Sequence, residues 1–199
     1  MLETSFFDRP SDVVAPELIG KIVWRAGVGG GRLTEVEAYL PLGDPACHGA
    51  RGMTRRNRAL FGPPGTIYIY LSYGVHVLLN LVCDVESVAS AVLVRAFEPL
   101  EPIDLMARNR GLDPRALHLR DLSRGPGRVG QALGLDLSID GLPLGTASGV
   151  ALLDDGERPP VGSSSRVGIS EGTELQLRFY WEGSGYLSRG GKLRRGDER

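Results

Sequence analysis

Three side chains stand out for the chemistry they could carry: Glu37, Arg95 and Asn80. Alternation along 32–39 places Leu33, Glu35, Glu37 and Tyr39 on one face of a strand, and Thr34, Val36 and Ala38 on the other. Two glutamates on one face repel unless one is solvated or paired. One reading is an exposed strand face. The other is a carboxylate in a cleft that orients water as a general base. Periodicity does not choose between them. Arg95 lies between Val94 and Ala96 in an apolar run, where an arginine needs a carboxylate; Glu37 or Glu35 would serve. Asn80 sits among Leu78, Leu79, Leu81 and Val82, and a buried amide needs partners.

Aromatic and basic residues make the second group. His48 lies in a loop rich in Gly and Pro, and is either a surface residue or a pocket residue offering a ring face and a hydrogen bond. Tyr68 and Tyr70 point one way along a strand. Tyr73 comes at its end, just before Gly74, where a side chain projects outward. Such a tip can enter a base stack and hold the gap left by a flipped nucleotide. Arg51, Arg55, Arg56 and Arg58 fall within eight residues, which suits phosphate contacts or a solvated loop equally. The sequence has no His/Cys metal spacing, no phosphate-binding glycine motif and no nucleophile elbow. No cofactor and no metal is expected.

Elements must position these residues. A short helix is expected over 11–20, with Ser11 as its cap and Gly20 as its stop. Strands are expected at 21–25 and 32–39, around a turn at 27–31. A long loop follows at 40–65, and a loop of that length in a compact chain is usually functional or disordered. Further strands are expected at 66–73, 75–83 and 91–97, then a helix at 103–110 and an arginine-containing loop at 112–127. A helix to about 134 and short strands at 148–154, 165–169 and 175–181 complete the pattern. The tail from 188 onward is charged and Gly-rich. No repeat or linker divides the chain, so the expected class is α+β with a single domain.

Bulk properties narrow the function classes. Hydrophobic content of 42% and charged content of 24% fit a globular chain. No run of 18 apolar residues is present, so no spanning helix is expected. The first ten residues lack the apolar stretch of a secretory signal. Two cysteines, Cys47 and Cys83, make no disulfide framework, and a reduced cytoplasm is the simplest compartment. The net charge of −1 argues against a nucleic-acid binder. Its distribution argues the other way: 51–128 holds 11 arginines against 7 acids. Only Lys21 and Lys192 are lysines. A genome rich in G and C would also favour arginine.

The ordered set TEVEAY at 34–39, His48, TRRNR at 54–58, PGTIYIY at 64–70, Tyr73-Gly74 and Asn80 resembles the alkyladenine (3-methyladenine) DNA glycosylase family. VRAFEP at 94–99, GPG at 125–127, QAL at 131–133, RVG at 166–168 and LRFY at 177–180 extend the resemblance over nearly the whole chain. It implies a mixed domain with a curved, largely antiparallel sheet and peripheral short helices. It implies a monomeric, monofunctional enzyme of base excision repair, acting on double-stranded DNA that carries an alkylated or deaminated purine. By the same resemblance Glu37 is the general base that activates water against the sugar C1′, and Arg95 helps place that water. Tyr39, His48 and Tyr70 wall the base pocket, and Asn80 excludes guanine by crowding its 2-amino group. Tyr73 fills the gap in the duplex, with Val75 and His76 beside it and Arg51, Arg55, Arg56 and Arg58 on the phosphates. Val75-His76 is smaller and more polar than the family's hydrophobic and aromatic pair, and the loop 42–46 also departs. The pocket is expected between strands 32–39 and 66–83. Strand-nicking glycosylases use an amine, so the scarcity of lysine predicts no lyase activity. A binding protein in which Glu37 only holds Arg95, and a hydrolase of free nucleosides, are the competing classes.

Overall fold

The computed structural model describes residues 1–188. The charged tail expected from 188 onward lies outside these residues, apart from Ser188 itself. The chain runs α1 (Thr4–Phe7), α2 (Ser11–Leu18), β1 (Ile22–Arg25), β2 (Gly29–Tyr39), β3 (Ile67–Ser72), β4 (His76–Val82), β5 (Ala91–Leu100), α3 (Asp104–Asn109), α4 (Arg120–Ser123), α5 (Pro126–Ala132), β6 (Val150–Leu153), β7 (Val161–Ser164) and β8 (Arg178–Trp181). All strand pairs are antiparallel, in the order β3-β4-β5-β2-β1-β6, and β8 joins β2 with β7 on its far side. The class is α+β, as expected.

The strand β2 organises the site. Its first residues pair with β1, its later ones with β8, and β5 runs along its other edge. The β2–β5 register slips on either side of Glu35. A bulge of this kind shifts the phase of alternation and re-aims side chains. Leu33 therefore joins Val36 and Ala38 in the apolar core, not Glu35 as alternation alone implied. Downstream of the bulge Glu35, Glu37 and Tyr39 do share a face.

One contiguous core packs the helices against the sheet, from Phe7, Val14 and Leu18 through Val36, Leu79 and Val94 to Val129 and Leu152. Several expectations shift, and the loop expected at 112–127 holds α4 and the first residues of α5. Ser11 is the first helical residue, not the cap, and its hydroxyl donates to the Tyr39 carbonyl at 2.9 Å. Gly30 and Gly31 belong to β2 and not to a turn, because β1 and β5 leave no room for a side chain: a Cβ on Gly30 would lie 1.9 Å from the Val23 carbonyl oxygen. The strand expected at 165–169 sits earlier, at Val161–Ser164, where its backbone pairs with β8.

Candidate active site

Glu35 and Glu37 are both fully buried, so neither is an exposed strand face. Arg95, opposite on β5, bonds both of them: Nε donates to Glu35 Oε1 at 2.9 Å and Nη1 to Glu37 Oε2 at 3.2 Å. The two carboxylates then diverge. Glu35 Oε1 also accepts from Arg178 Nε at 2.8 Å, and Ser188 donates to both Glu35 oxygens. Burial opposes its charge, but Arg95, Arg178 and Ser188 outweigh burial and hold its pKa below the usual glutamate value. Glu37 shares one arginine and accepts from the Val167 N–H at 2.7 Å and the Tyr39 hydroxyl at 3.1 Å. Burial is its largest influence and Glu35 adds to it, so its pKa is raised. Neighbouring acids with pKa values pushed apart are the arrangement that assigns one a fixed charge and the other a proton-transfer role.

A cleft of about 1260 Å³ opens above this pair. Its floor and walls include Tyr39, Tyr68, Tyr70, Asn80, Leu93 and Arg95. This is the expected location, with β5 contributing as well. Glu37 has no exposed surface; the three groups bonded to it, Tyr39, Arg95 and Val167, face the cleft in its place. The His48 ring lies edge-on to Tyr70, 4.4 Å between centroids, and its Nδ1 is 2.8 Å from the Tyr68 hydroxyl. Partial burial lowers the His48 pKa and nearby Arg56 adds to it, so the ring is neutral near pH 7. Asn80 is buried, and its amide nitrogen donates to the carbonyls of Tyr68 and Leu78, which fixes its orientation.

Tyr73 stands at the tip of the β3–β4 hairpin with 93% of its surface exposed. It and Gly74 both take positive φ, 51° and 73°. The left-handed conformation is costly for tyrosine, and the outcome is an aromatic ring projected at the cleft rim. Val75 and His76 are exposed beside it but outside the cleft lining. Arg51, Arg55 and Arg56 line the cleft, while Arg58 is exposed and lies outside it. Asn57 shapes this loop: its amide bonds the carbonyls of His48 and Gly52 and accepts from Thr54.

Several participants are not among the sequence candidates: Asp44, Arg166, the Val167 N–H, Arg178 and Ser188. The Arg166 guanidinium forms a buried two-point pair with Asp44, 2.6 Å on each arm, and packs over the Tyr39 ring at 4.6 Å. That pair ties the loop after β7 to the loop after β2. The likeness marks RVG at 166–168 only as a stretch of sequence. Its contribution is a backbone donor 130 residues from Glu37, which no side-chain pattern reveals. Among the described residues no group of His, Cys, Asp and Glu is arranged to hold a metal ion.

The methylpurine-DNA glycosylase family matches residues 5–185. Curated relatives span almost the same length. A protein of Burkholderia lata is 43% identical over 191 residues, covering 94% of this chain and 91% of its own. One of Mesorhizobium japonicum is 46% identical over 179 residues, covering 88% and 84%. One of Chlorobaculum tepidum is 44% identical over 196 residues, covering 94% and 90%. Each bears the name "Putative 3-methyladenine DNA glycosylase". With nearly all of its described length matched and its cleft built from the residues that carry the likeness, the chain belongs to the methylpurine-DNA glycosylase family.

Proposed function

We propose that the chain is a monofunctional DNA glycosylase that removes alkylated or deaminated purines from duplex DNA, such as 3-methyladenine, 7-methylguanine, ethenoadenine and hypoxanthine. The observation that carries this reading is a buried carboxylate of raised pKa directly behind an aromatic cleft, with a tyrosine at the cleft rim. The damaged nucleotide leaves the stack, at a cost of a few kcal/mol. Tyr73 enters the vacated space. The base lodges against Tyr39, His48 and Tyr70, whose electron-rich faces favour a cationic purine by about 0.5–2 kcal/mol. Asn80, held by its two carbonyl bonds, faces the base edge and crowds a 2-amino group.

The chemistry needs one water. Its oxygen bonds to C1′, the N-glycosidic bond breaks, and the bonding electrons leave with the purine. Glu37 takes the proton and its negative charge steadies the cationic sugar. A base alkylated on a ring nitrogen leaves neutral; an uncharged lesion leaves neutral once its ring takes a proton from solvent water. Glu37 has no exposed surface in the free protein. The Val167 N–H that caps its Oε1 therefore yields that oxygen to water in the complex.

A strand-nicking step needs a free amine at C1′. Lys21 is buried in an ion pair with Asp154 at 3.0 Å and does not line the cleft. Lys21 thus offers the cleft no free amine, in keeping with hydrolysis without lyase chemistry, and Lys192 lies outside the described residues. On this reading the enzyme acts as a monomer on one lesion in double-stranded DNA.

The test is base release from a duplex with one hypoxanthine or methylated purine, scored by alkali cleavage, beside the matching free nucleoside and a borohydride trap. Release from duplex alone, with no trapped covalent complex, is expected. Equal activity on the nucleoside would move the function to a nucleoside hydrolase. Lesion-independent binding without release would reduce the protein to a binding module.

A further inference from the structure

Arg95 is held at all three guanidinium nitrogens, and only one of these bonds reaches Glu37. Nε donates to Glu35 Oε1 at 2.9 Å, Nη1 to Glu37 Oε2 at 3.2 Å, and Nη2 to the Ser188 hydroxyl at 3.2 Å. Ser188 is buried and comes from the C-terminal segment, 93 residues after Arg95. Its hydroxyl accepts from Arg95 and donates to Glu35 Oε1 at 2.8 Å, while its N–H donates to Glu35 Oε2. Glu35 is anchored in turn by Arg178, which is also fully buried. A guanidinium is a rigid planar fork. Fixing Nε and Nη2 on one side sets the direction of Nη1 on the other.

We propose that Ser188 is a positioning residue of the hydrolytic site: with Glu35 it holds Arg95 in the orientation that presents Nη1 to Glu37, and so couples the C-terminal segment to the base. The inference rests on the glycosylase reading above for its consequence in catalysis, but not for the coupling itself.

Glu37 is surrounded by few charged or titratable groups. Glu35 and Tyr39 face it from its own strand, Arg95 from β5, Arg178 from β8 in direct register, Arg166 and the Val167 N–H from the loop after β7, and Tyr70 from β3. Removal of the Ser188 hydroxyl touches two of these, Arg95 and Glu35, and Glu35 keeps Arg178 and the Ser188 N–H. Arg95 is the largest influence favouring Glu37 ionisation, so an arginine free to turn away raises the Glu37 pKa further. A residue that only tied the segment down would alter stability and leave that titration in place.

The experiment compares the full chain with Ser188→Ala and Ser188→Thr. Single-turnover release from a 7-methylguanine duplex, whose lesion is already cationic, is followed against pH, and the Glu37 carboxyl of the free protein is titrated by ¹³C NMR. Duplex affinity and melting temperature are measured alongside. Ser188→Ala is expected to slow release roughly tenfold near neutral pH, the scale of one hydrogen bond to a charged group. Its acid limb and its Glu37 midpoint should both move to higher pH at unchanged affinity, and Ser188→Thr should restore both. A Ser188→Ala protein with the wild-type pH profile and Glu37 midpoint overturns the proposal, even if it melts lower. Should Ser188→Ala fail to fold, Ser188→Cys, with a weak acceptor of similar size, carries the same comparison. If the wild type releases no base, the glycosylase reading falls, and the Glu37 midpoint alone then supports or overturns the coupling.

Discussion

At the scale of single residues, the site rests on an unequal division of positive charge between two buried acids. Glu35 draws on two arginines and Ser188, whereas Glu37 shares one arginine and relies on neutral donors. A base must be unprotonated to act, and Glu37 has a raised pKa. Activity is therefore predicted to rise with pH through a limb above the ordinary glutamate value of about 4.3, and to be lost as pH falls through it. A rate profile on a lesion whose base is already cationic isolates this limb, because no proton on the leaving base is then required. A limb at or below the ordinary value would remove Glu37 from the role. The sequence made the Glu35–Glu37–Arg95 set legible, since a buried arginine demands a carboxylate, but it offered either acid as the partner where the structure shows Arg95 bonded to both. It did not reveal which acid is held ionised. That depends on Arg178 and Ser188, which follow Glu35 by 143 and 153 residues and meet it only in the folded chain.

At the scale of elements, the β3–β4 hairpin holds Tyr73 exposed at the cleft rim, where the proposed function has it enter the duplex, and α5 braces the hairpin from behind. A Cβ on Gly130 of α5 would lie 2.1 Å from the Val77 carbonyl oxygen, and one on Gly127 would lie 3.1 Å from the His76 ring. Alanine in a helix interior normally gains about 1 kcal/mol over glycine. Overpacking costs about 1–3 kcal/mol, and here the obstacle is backbone. Gly130→Ala is therefore predicted to lower the melting temperature and to slow lesion release by shifting the hairpin. Chemical denaturation checks the sign, and a more stable variant would contradict the packing. The hairpin and the strands around it are readable from β-branched and aromatic runs. The bulge in β2 is not, because it arises from the register with β5. The strand at 161–164 escapes the sequence for a related reason: Val-Gly-Ser-Ser has no alternating apolar face, and pairing with β8 alone makes it a strand.

At the scale of the whole molecule, a net charge of −1 gives no general attraction to DNA. On the proposed reading affinity depends on local cations at the cleft, where Arg51, Arg55 and Arg56 lie. Changing Arg55 and Arg56 to alanine is predicted to weaken binding to damaged and undamaged duplex alike. It should flatten the dependence of log affinity on log salt by about 0.9 for each phosphate no longer neutralised. An unchanged slope would place the phosphates elsewhere. The arginine run made this loop legible as a phosphate-binding candidate, with a solvated loop as the alternative, and the structure places three of its four arginines on the cleft. On the proposed reading binding and hydrolysis are separable, because Arg51, Arg55, Arg56 and Tyr73 line the open cleft while Glu37 lies sealed beneath it. The most direct measurement is base release and duplex affinity for Glu37→Gln against wild type on one single-lesion duplex. Affinity within about twofold and release slowed by about 100-fold or more, the usual scale for loss of a general base, is the predicted result. Release at the wild-type rate by a folded Glu37→Gln protein would contradict the account.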